Sequence, residues 1–583
     1  MPIILNASQP VVNVQKQSVK APEKAQGTDT SATVKSTDNN PLFKFLQASA
    51  IINAPVVKKS AEVTSTDKIE APYKNNLREM FQNNQAKILA MIPRTFNADD
   101  KNGDDIVQLN LGETSGNFNN AIARLDEVKA NGFNTLHVLP IFKPGKDNAK
   151  GTAGSLYATA NYLEIDPMLD DKNDSRTVRE EFKNFVNECH KRGIKVMLDL
   201  PSCAAVDLFN ERPELMARKK DGTAKIPQGW EDIRMFNPFE DETKRTLNQP
   251  LLEMHKRVVD NCIEDGVDGI RADVARAKPP EFWDDLIKYS HKKDPQFAWL
   301  AETYTYEDAS PMANMPYDRP EDLLKAGFDS YYGQFHIFHE WSNAHEFNKY
   351  IEDNLEMSKK YNKGKSLIGS FATHDDMSPM FNGGVDYCNL TSGLQATLPM
   401  VNPYIVDGFQ TGDKYLYKFE GQRAKESFTE SEFMHLNHGM IDIFNLSRKP
   451  GGENPEIGKF LEKSFEMRDK YQDVITKGSF IELDKAKDPD DQIIAYARHL
   501  NGKTLLVVAN KNIDRNISAV IKVPTLKANQ ELKNLLPSYG QHSKIQADNN
   551  ELKVDLGAAR VHVFEIDTPN IEKASKKVYK QNL

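Results

Sequence analysis

The sequence of 583 residues has few of the features that mark membrane-spanning, secreted or nucleic-acid-binding proteins. Its four cysteines form no Cys-x-x-Cys pair, so neither a zinc site nor a thioredoxin-like motif is predicted, and nothing demands disulfides. No run of about 18 apolar residues is present, so no membrane span is expected. The formal net charge of −9 disfavours a nucleic-acid partner. The first residues carry no charged segment followed by a long apolar run, so no secretory signal is expected and a cytoplasmic location is predicted.

The two ends of the chain differ in composition from its middle. Residues 1–70 are rich in Ser, Thr, Asn, Lys and Pro without a sustained period, which predicts a mostly disordered tail. Residues 478–567 alternate with period two, and Asn501-Gly502 between two strand-like runs indicates a tight hairpin, so a C-terminal antiparallel β-sandwich is predicted. The polar residues 568–583 are expected to fray.

Between residues 75 and 477, helical stretches alternate with apolar strands. In the clearest unit, residues 180–200, an apolar helix stripe ends at Gly193 and a near-continuous apolar run follows. The predicted strands are residues 88–95, 135–140, 195–200, 269–274, 298–303, 328–333, 367–373 and 401–407. This alternation predicts an α/β fold, a (β/α)8 TIM barrel, with a doubly wound sheet as the alternative. A longer connection at residues 201–245 predicts a short insertion after strand 3 that shapes the substrate site.

Polar residues at the ends of the predicted strands lie where barrels of this type build active sites. Strand four ends with Arg271 and Asp273, whose spacing of two puts both side chains on one face. The guanidinium is expected to keep Asp273 ionised, as a nucleophile must be. A buried Arg–Asp pair that ties the barrel together is the alternative.

Three further strands are followed by candidate site residues. Glu302 ends strand five after an apolar run, which should raise its pKa as a general acid requires; a solvated Glu beyond the rim is the alternative. After strand seven, His374 and Asp375 could bind sugar hydroxyls, whereas Asp375 or Asp376 could cap the next helix. Tyr157, after strand two, could stack on a sugar ring or belong to the core.

Together, the order and strand positions of these residues resemble the α-amylase superfamily, glycoside hydrolase family 13, over roughly residues 75–570. The resemblance implies that Asp273 is the nucleophile, Glu302 the acid/base and Asp375 the transition-state stabiliser. The substrate-binding residues that it implies are Tyr157, Asp199, Arg271 and His374.

The strand-three motif departs from the family pattern. Where the family commonly has DxVxNH, this chain has DLPSCA at residues 199–204, so Cys203 and Ala204 replace Asn and His. Because that Asn is often a calcium ligand, calcium is doubtful and no metal or other cofactor is predicted. The segment KPPEFW (278–283) and the run AETYT (301–305) look similar to the maltose-1-phosphate maltosyltransferase branch.

The resemblance implies a retaining glycoside hydrolase acting on α-1,4-linked glucans or maltooligosaccharides. Its glycosyl-enzyme would form on Asp273, with Glu302 as acid/base. A maltosyl- or glucanotransferase is the alternative, since transfer uses the same residues. A catalytically silent glucan-binding protein is less expected, because all three carboxylates and Arg271 are present. The α-glucan is the only partner predicted, and the oligomeric state stays open.

Overall fold

A computed structural model describes residues 73–99, 101, 109–149, 154–227, 230–303, 320–360, 365–376, 378–413, 454–488, 490–539 and 543–581. The predicted tail, residues 1–70, lies outside the described residues. The strands are β1 (Ile88–Met91), β2 (Thr135–Val138), β3 (Phe142–Pro144), β4 (Thr159–Ile165), β5 (Lys195–Leu200), β6 (Cys203–Ala205), β7 (Ile233–Met235), β8 (Phe239–Asp241), β9 (Thr246–Leu247), β10 (Gly269–Ala272), β11 (Ala298–Ala301), β12 (Ser330–Tyr332), β13 (Ser366–Gly369), β14 (Val401–Val406), β15 (Ser479–Glu482), β16 (Lys485–Lys487), β17 (Ile493–Leu500), β18 (Lys503–Asn510), β19 (Ile517–Lys522), β20 (Lys544–Asp548), β21 (Glu551–Leu556), β22 (Val561–Ile566) and β23 (Val578–Tyr579). The α-helices are α1 (Leu77–Gln82), α2 (Phe118–Ile122), α3 (Leu125–Ala130), α4 (Val178–Lys191), α5 (Val206–Glu211), α6 (Gln249–Glu264), α7 (Pro280–Lys293), α8 (Pro320–Ala326), α9 (Ala344–Lys359), α10 (Pro379–Thr397), α11 (Pro455–Lys470), α12 (Gln472–Lys477) and α13 (Ile571–Ala574).

Eight parallel strands close into a barrel in the order β1-β14-β13-β12-β11-β10-β5-β2. The predicted (β/α)8 barrel is therefore confirmed, and the doubly wound sheet is wrong. In the ladder, Arg271 of β10 lies beside Asp199 of β5 on one side and Leu300 of β11 on the other. This register brings the carboxyl ends of three neighbouring strands together around the candidate site.

The unit around α4 shows why the alternating pattern folds in this way. Thr177 caps the helix by accepting a hydrogen bond from the Glu180 backbone, and the Glu180 side chain accepts one in return. The predicted apolar stripe is buried; it contains Phe182, Phe185, Val186 and Cys189. Gly193 then takes a left-handed φ of 73°, which ends the helix and leads into β5.

Two connections at the carboxyl end of the barrel join in a small sheet of order β3-β4-β6-β7. β3 and β4 follow the second barrel strand, whereas β6 and β7 belong to the long connection after the third. The two connections therefore form one wall beside the ends of β2 and β5.

The C-terminal strands form two antiparallel sheets, β22-β18-β17-β15-β23 and β16-β19-β21-β20, which share one apolar core. Asn501 and Gly502 both have positive φ, 50° and 82°, as the predicted two-residue hairpin requires. The predicted fraying of residues 568–583 is wrong for the part that is described. Ile571 is buried, and β23 pairs with β15, which gives this polar segment hydrogen-bond partners. Among the described residues, no helix is long and apolar enough to cross a membrane.

Candidate active site

Arg271, which is fully buried on β10, holds carboxylates from three adjacent strands. Its Nη1 donates to Asp199 Oδ1 at 2.8 Å and to Asp273 Oδ1 at 3.0 Å. Its Nη2 forms an ion pair with Glu302 Oε2 at 2.8 Å. The spacing of two residues therefore places Arg271 and Asp273 together, as predicted, and the barrel adds Glu302.

The members of this cluster differ in their access to solvent. The side chains of Asp199 and Arg271 are both 0% exposed, so this pair forms the buried tie that was considered as the alternative for Asp273. The side chains of Asp273 and Glu302 are 14% and 12% exposed, and that of Asp375 is 34% exposed. The site thus has a closed floor and three carboxylates at its open side, where a ligand can reach them.

Asp273 is fixed through both of its carboxylate oxygens. Besides the bond from Arg271 to Oδ1, Ser202 donates to Oδ2 from its backbone N at 2.9 Å and from its Oγ at 3.0 Å. Burial raises the pKa of Asp273 to about 7, although Arg271 lowers it, and the negative charge of Glu302 adds to the increase. Arg271 thus acts on Asp273 in the expected direction, but burial and the charge of Glu302 outweigh it, so the expectation that the guanidinium keeps this carboxyl ionised is wrong.

Glu302 is held by the residue that follows Asp273. The backbone N of Val274 donates to Glu302 Oε2 at 2.6 Å. Val274 has φ 34° and ψ 61°, a left-handed conformation that is strained for a β-branched residue. Glu302 is therefore an anchored member of the cluster, and the interpretation of a solvated Glu beyond the rim is wrong.

Asp375 and Asp376 have different surroundings. Thr373 donates to Asp376 Oδ2 from its backbone N at 2.7 Å and from its Oγ1 at 2.8 Å, so Asp376 fixes the turn after β13. Ser378 caps α10, so neither aspartate is the helix cap that was considered. Burial raises the pKa of Asp375 well above its ordinary value, and the charge of Glu302 adds to this. Asp375 thus belongs electrostatically to the same cluster.

Comparison with known proteins agrees with this geometry. The family model described as the α-amylase catalytic domain matches residues 90–210. This match agrees with the resemblance of the chain to the α-amylase superfamily. The solved structure of a maltogenic α-amylase, AmyB from Thermotoga neapolitana, aligns with a TM-score of 0.61 and 22% identity, covering 84% of this chain and 100% of that one.

Several curated relatives of this chain carry the name α-1,4-glucan:maltose-1-phosphate maltosyltransferase. That of Picrophilus torridus is 24% identical over 474 residues, which cover 77% of this chain and 68% of the relative. That of Rhodospirillum rubrum is 29% identical over 434 residues, which cover 68% of this chain and 54% of the relative. The match to the Bifidobacterium animalis protein likewise covers 52% of that relative, so this chain spans about half the length of some of the relatives it matches.

Tyr157 and His374 form one wall of the candidate site. The Tyr157 hydroxyl donates to Asp199 Oδ2 at 2.8 Å and lies 2.8 Å from His374 Nε2. Because the hydroxyl proton points to the carboxylate, His374 Nε2 must carry the proton that bonds to the Tyr157 oxygen. Burial lowers the pKa of His374 well below its ordinary value, so the ring is neutral. Tyr157 is 7% exposed with a bonded hydroxyl, and its stacking on a sugar stays a prediction.

His137, a buried residue of β2, is a member of the cluster that sequence reasoning missed. Its Nε2 contacts Asp199 Oδ2 at 3.1 Å, and its Nδ1 contacts the Tyr404 hydroxyl at 2.9 Å. Burial opposes ionisation of Asp199, but Arg271 and His137 lower its pKa to about 2. A histidine inside an apolar strand run was the signal that could have revealed it. Ser202, Val274 and Tyr332, whose hydroxyl accepts from Arg271 Nε at 3.0 Å, were also missed.

The two residues that depart from the family pattern after strand three have apolar surroundings, Cys203 in a small cluster and Ala204 in the main core. Cys203 and Ala204 are buried, and Cys203 packs with Ile233, Met235 and several alanines. Burial raises the pKa of the Cys203 thiol to about 12, so it is not a thiolate. Calcium requires oxygen ligands, and this cluster of apolar side chains does not fit it. Within the described ranges, no three His, Cys, Asp or Glu side chains converge as a metal site would require.

Proposed function

We propose that this chain is a retaining α-glucan-active enzyme that forms a covalent glycosyl-enzyme on Asp273. The observation that supports this most strongly is the binding of Asp273 and Glu302 to one guanidinium, at the open side of the cluster. For retention, a nucleophile and an acid/base that flank the scissile bond must lie about 5–5.5 Å apart. Residues from neighbouring strands that share Arg271 suit this short separation.

In the first step, Asp273 attacks the anomeric carbon and the bond to the leaving oxygen breaks. Glu302 gives its proton to that oxygen. In the second step, Glu302 takes a proton from water or from an acceptor hydroxyl, whose oxygen attacks the anomeric carbon and releases the Asp273 carboxylate. A proton on Glu302 removes the charge that raises the pKa of Asp273, so protonation of one carboxyl favours ionisation of the other.

Asp375 would oppose the positive charge that develops on the sugar ring. Neutral His374, with its proton on Nε2, can donate to a hydroxyl acceptor without adding charge. The resemblance to the α-amylase superfamily supports an α-1,4-linked glucan as the substrate.

Maltoheptaose tests this proposal, with product anomers followed by NMR at short times. We expect the α-configuration at the new reducing end, and inverted product would contradict the assignment of Asp273 and Glu302. Asp273→Asn should lose on the order of 10⁴-fold or more in kcat. Wild-type turnover in this variant would refute its role as nucleophile.

Transfer is the second candidate, and the names of the curated relatives favour it over hydrolysis. Maltose 1-phosphate with maltoheptaose as acceptor separates the two: a transferase lengthens the acceptor and releases phosphate, whereas a hydrolase shortens maltoheptaose. Binding of the glucan with neither product would favour the catalytically silent alternative.

A further inference from the structure

Lys278 is a buried cation that the mechanism above does not use. Its side chain is 1% exposed, and its Nζ donates to the backbone O of Ser202 at 3.1 Å. The ammonium also lies over three aromatic rings, at 5.2 Å from the centre of Phe236, 5.9 Å from Phe282 and 5.6 Å from Trp283. These ring faces compensate in part for the lost hydration of the charge.

The carbonyl that Lys278 binds belongs to the residue that orients Asp273. Ser202 donates to Asp273 Oδ2 from two atoms, its backbone N and its Oγ. Two donors from one residue fix the rotation of the carboxylate plane as well as its distance. Lys278, Ser202 and Asp273 thus form a continuous chain of hydrogen bonds behind the open side of the cluster.

The local fold explains how a residue five positions after Asp273 reaches back to its anchor. Val274 turns the chain with its left-handed conformation, and a 3₁₀ turn at Ala275–Ala277 follows. Lys278 then lies just before α7, and its Nζ reaches the backbone O of Ser202. The left-handed turn at Val274 is therefore followed by two contacts: the Val274 N–H bonds to Glu302, and Lys278 bonds to Ser202.

Electrostatics give the buried ammonium a second effect on Asp273. Arg271 is shared by three carboxylates, so it cannot neutralise all of them. Burial lowers the pKa of Lys278 to about 8, while the charge of Asp273 raises it, so the cation and this carboxylate stabilise each other.

We propose that Lys278 and Ser202 are positioning residues that set the orientation and the ionisation of Asp273. This inference rests on the proposed function, in which Asp273 is the nucleophile. It gives the segment after strand three, through Ser202, the role of orienting the nucleophile, while Cys203 packs into the apolar cluster beside it.

The test compares Ser202→Ala, Lys278→Met and Lys278→Arg with the wild-type chain, using whichever substrate the experiments above show to be turned over. We expect Ser202→Ala and Lys278→Met to lower kcat about tenfold to a hundredfold with little change in KM. The acidic limb of the pH profile of kcat/KM should move to higher pH by about one unit, because the ionised form of Asp273 loses a favourable partner. Lys278→Arg, which keeps the charge, should restore the limb toward its wild-type position.

Two exposed substitutions are matched controls. Ser518→Ala removes a hydroxyl that donates to Asp555 at 3.1 Å, and Lys288→Met removes an exposed partner of Asp284 on α7. Both should leave kcat and the acidic limb unchanged. Melting temperatures of all variants are measured in parallel, and if Lys278→Met fails to fold, Ser202→Ala carries the test.

An unmoved acidic limb in the folded variants overturns the inference, whatever happens to the melting temperature. A Lys278→Arg limb displaced as far as that of Lys278→Met overturns its electrostatic part. If Asp273→Asn is inactive while Ser202→Ala and Lys278→Met behave as wild type, only this inference fails. If Asp273→Asn is active, the proposed function itself fails.

Discussion

Replacing Asp273 by Asn should abolish turnover and yet stabilise the fold at alkaline pH. Burial raises the pKa of this carboxyl from its ordinary 3.8 to about 7, so the folded protein favours the protonated form. The contribution of the group to stability is complete below the unfolded pKa and is lost as the pH rises through the folded pKa. Asn is a neutral isostere and avoids this loss.

The size of the effect follows from the shift. Three pKa units correspond to roughly 4 kcal/mol, which is an upper figure because water that enters the open side reduces the burial penalty. Asp273→Asn should therefore gain free energy of unfolding relative to wild type as the pH rises. The gain between about pH 4.5 and about pH 8 should be at most that amount.

Urea unfolding at the two pH values measures this difference, with Asp284→Asn as the control. Asp284 is a 41%-exposed carboxylate on α7, and its replacement should give the same small difference at both pH values. The reasoning about burial is refuted if Asp273→Asn shows no growth of the difference with pH. Turnover assays on the same preparations decide separately whether Asp273 is the nucleophile.

Three further perturbations test individual contacts. Tyr157→Phe removes the donor to Asp199 and leaves His374 Nε2 without that acceptor, so the free energy of unfolding should fall by about 1–3 kcal/mol. An unchanged urea midpoint would contradict the hydrogen bonds assigned to the Tyr157 hydroxyl. Val274→Gly keeps the N–H bond to Glu302 and relieves the left-handed strain, so the free energy of unfolding should rise by about 1 kcal/mol with kcat retained. A fall in kcat would show that the valine side chain itself matters. Treatment with EDTA should leave turnover unchanged because the apolar surroundings of Cys203 do not fit calcium, and activity restored by added calcium would contradict this.

The barrel could be predicted because strands covered on both faces are nearly continuous apolar runs. The predicted ends of the strands were less accurate than their positions in the chain. Strands predicted to reach residues 274 and 303 end at Ala272 and Ala301. Asp273 and Glu302 follow directly, and their backbone N–H groups still donate to the backbone O atoms of Leu200 and Ala272 on the neighbouring strands.

The sheet formed by the two connections could not be predicted from the sequence. β6 and β7 each contain three residues, which is too short for a period of two to be recognised. The pairing of β6 with β4 joins segments that lie far apart in the chain, so no local signal indicates it. Ser202 was missed for the same reason, since its role depends on the wall that carries it to Asp273.

The electrostatics of the site were predicted only in part, because the spacing of residues along the chain does not show how many carboxylates a buried guanidinium contacts. The spacing of two indicated that Arg271 acts on Asp273, but the barrel also brings Asp199 and Glu302 to the same guanidinium. Asp199 accepts hydrogen bonds from the Tyr157 hydroxyl as well as from Arg271. Its charge is the best compensated of the three, and its pKa is lowered. Asp273 keeps a raised pKa, so ionisation of the nucleophile in the proposed mechanism depends on the two donors of Ser202 as well as on Arg271.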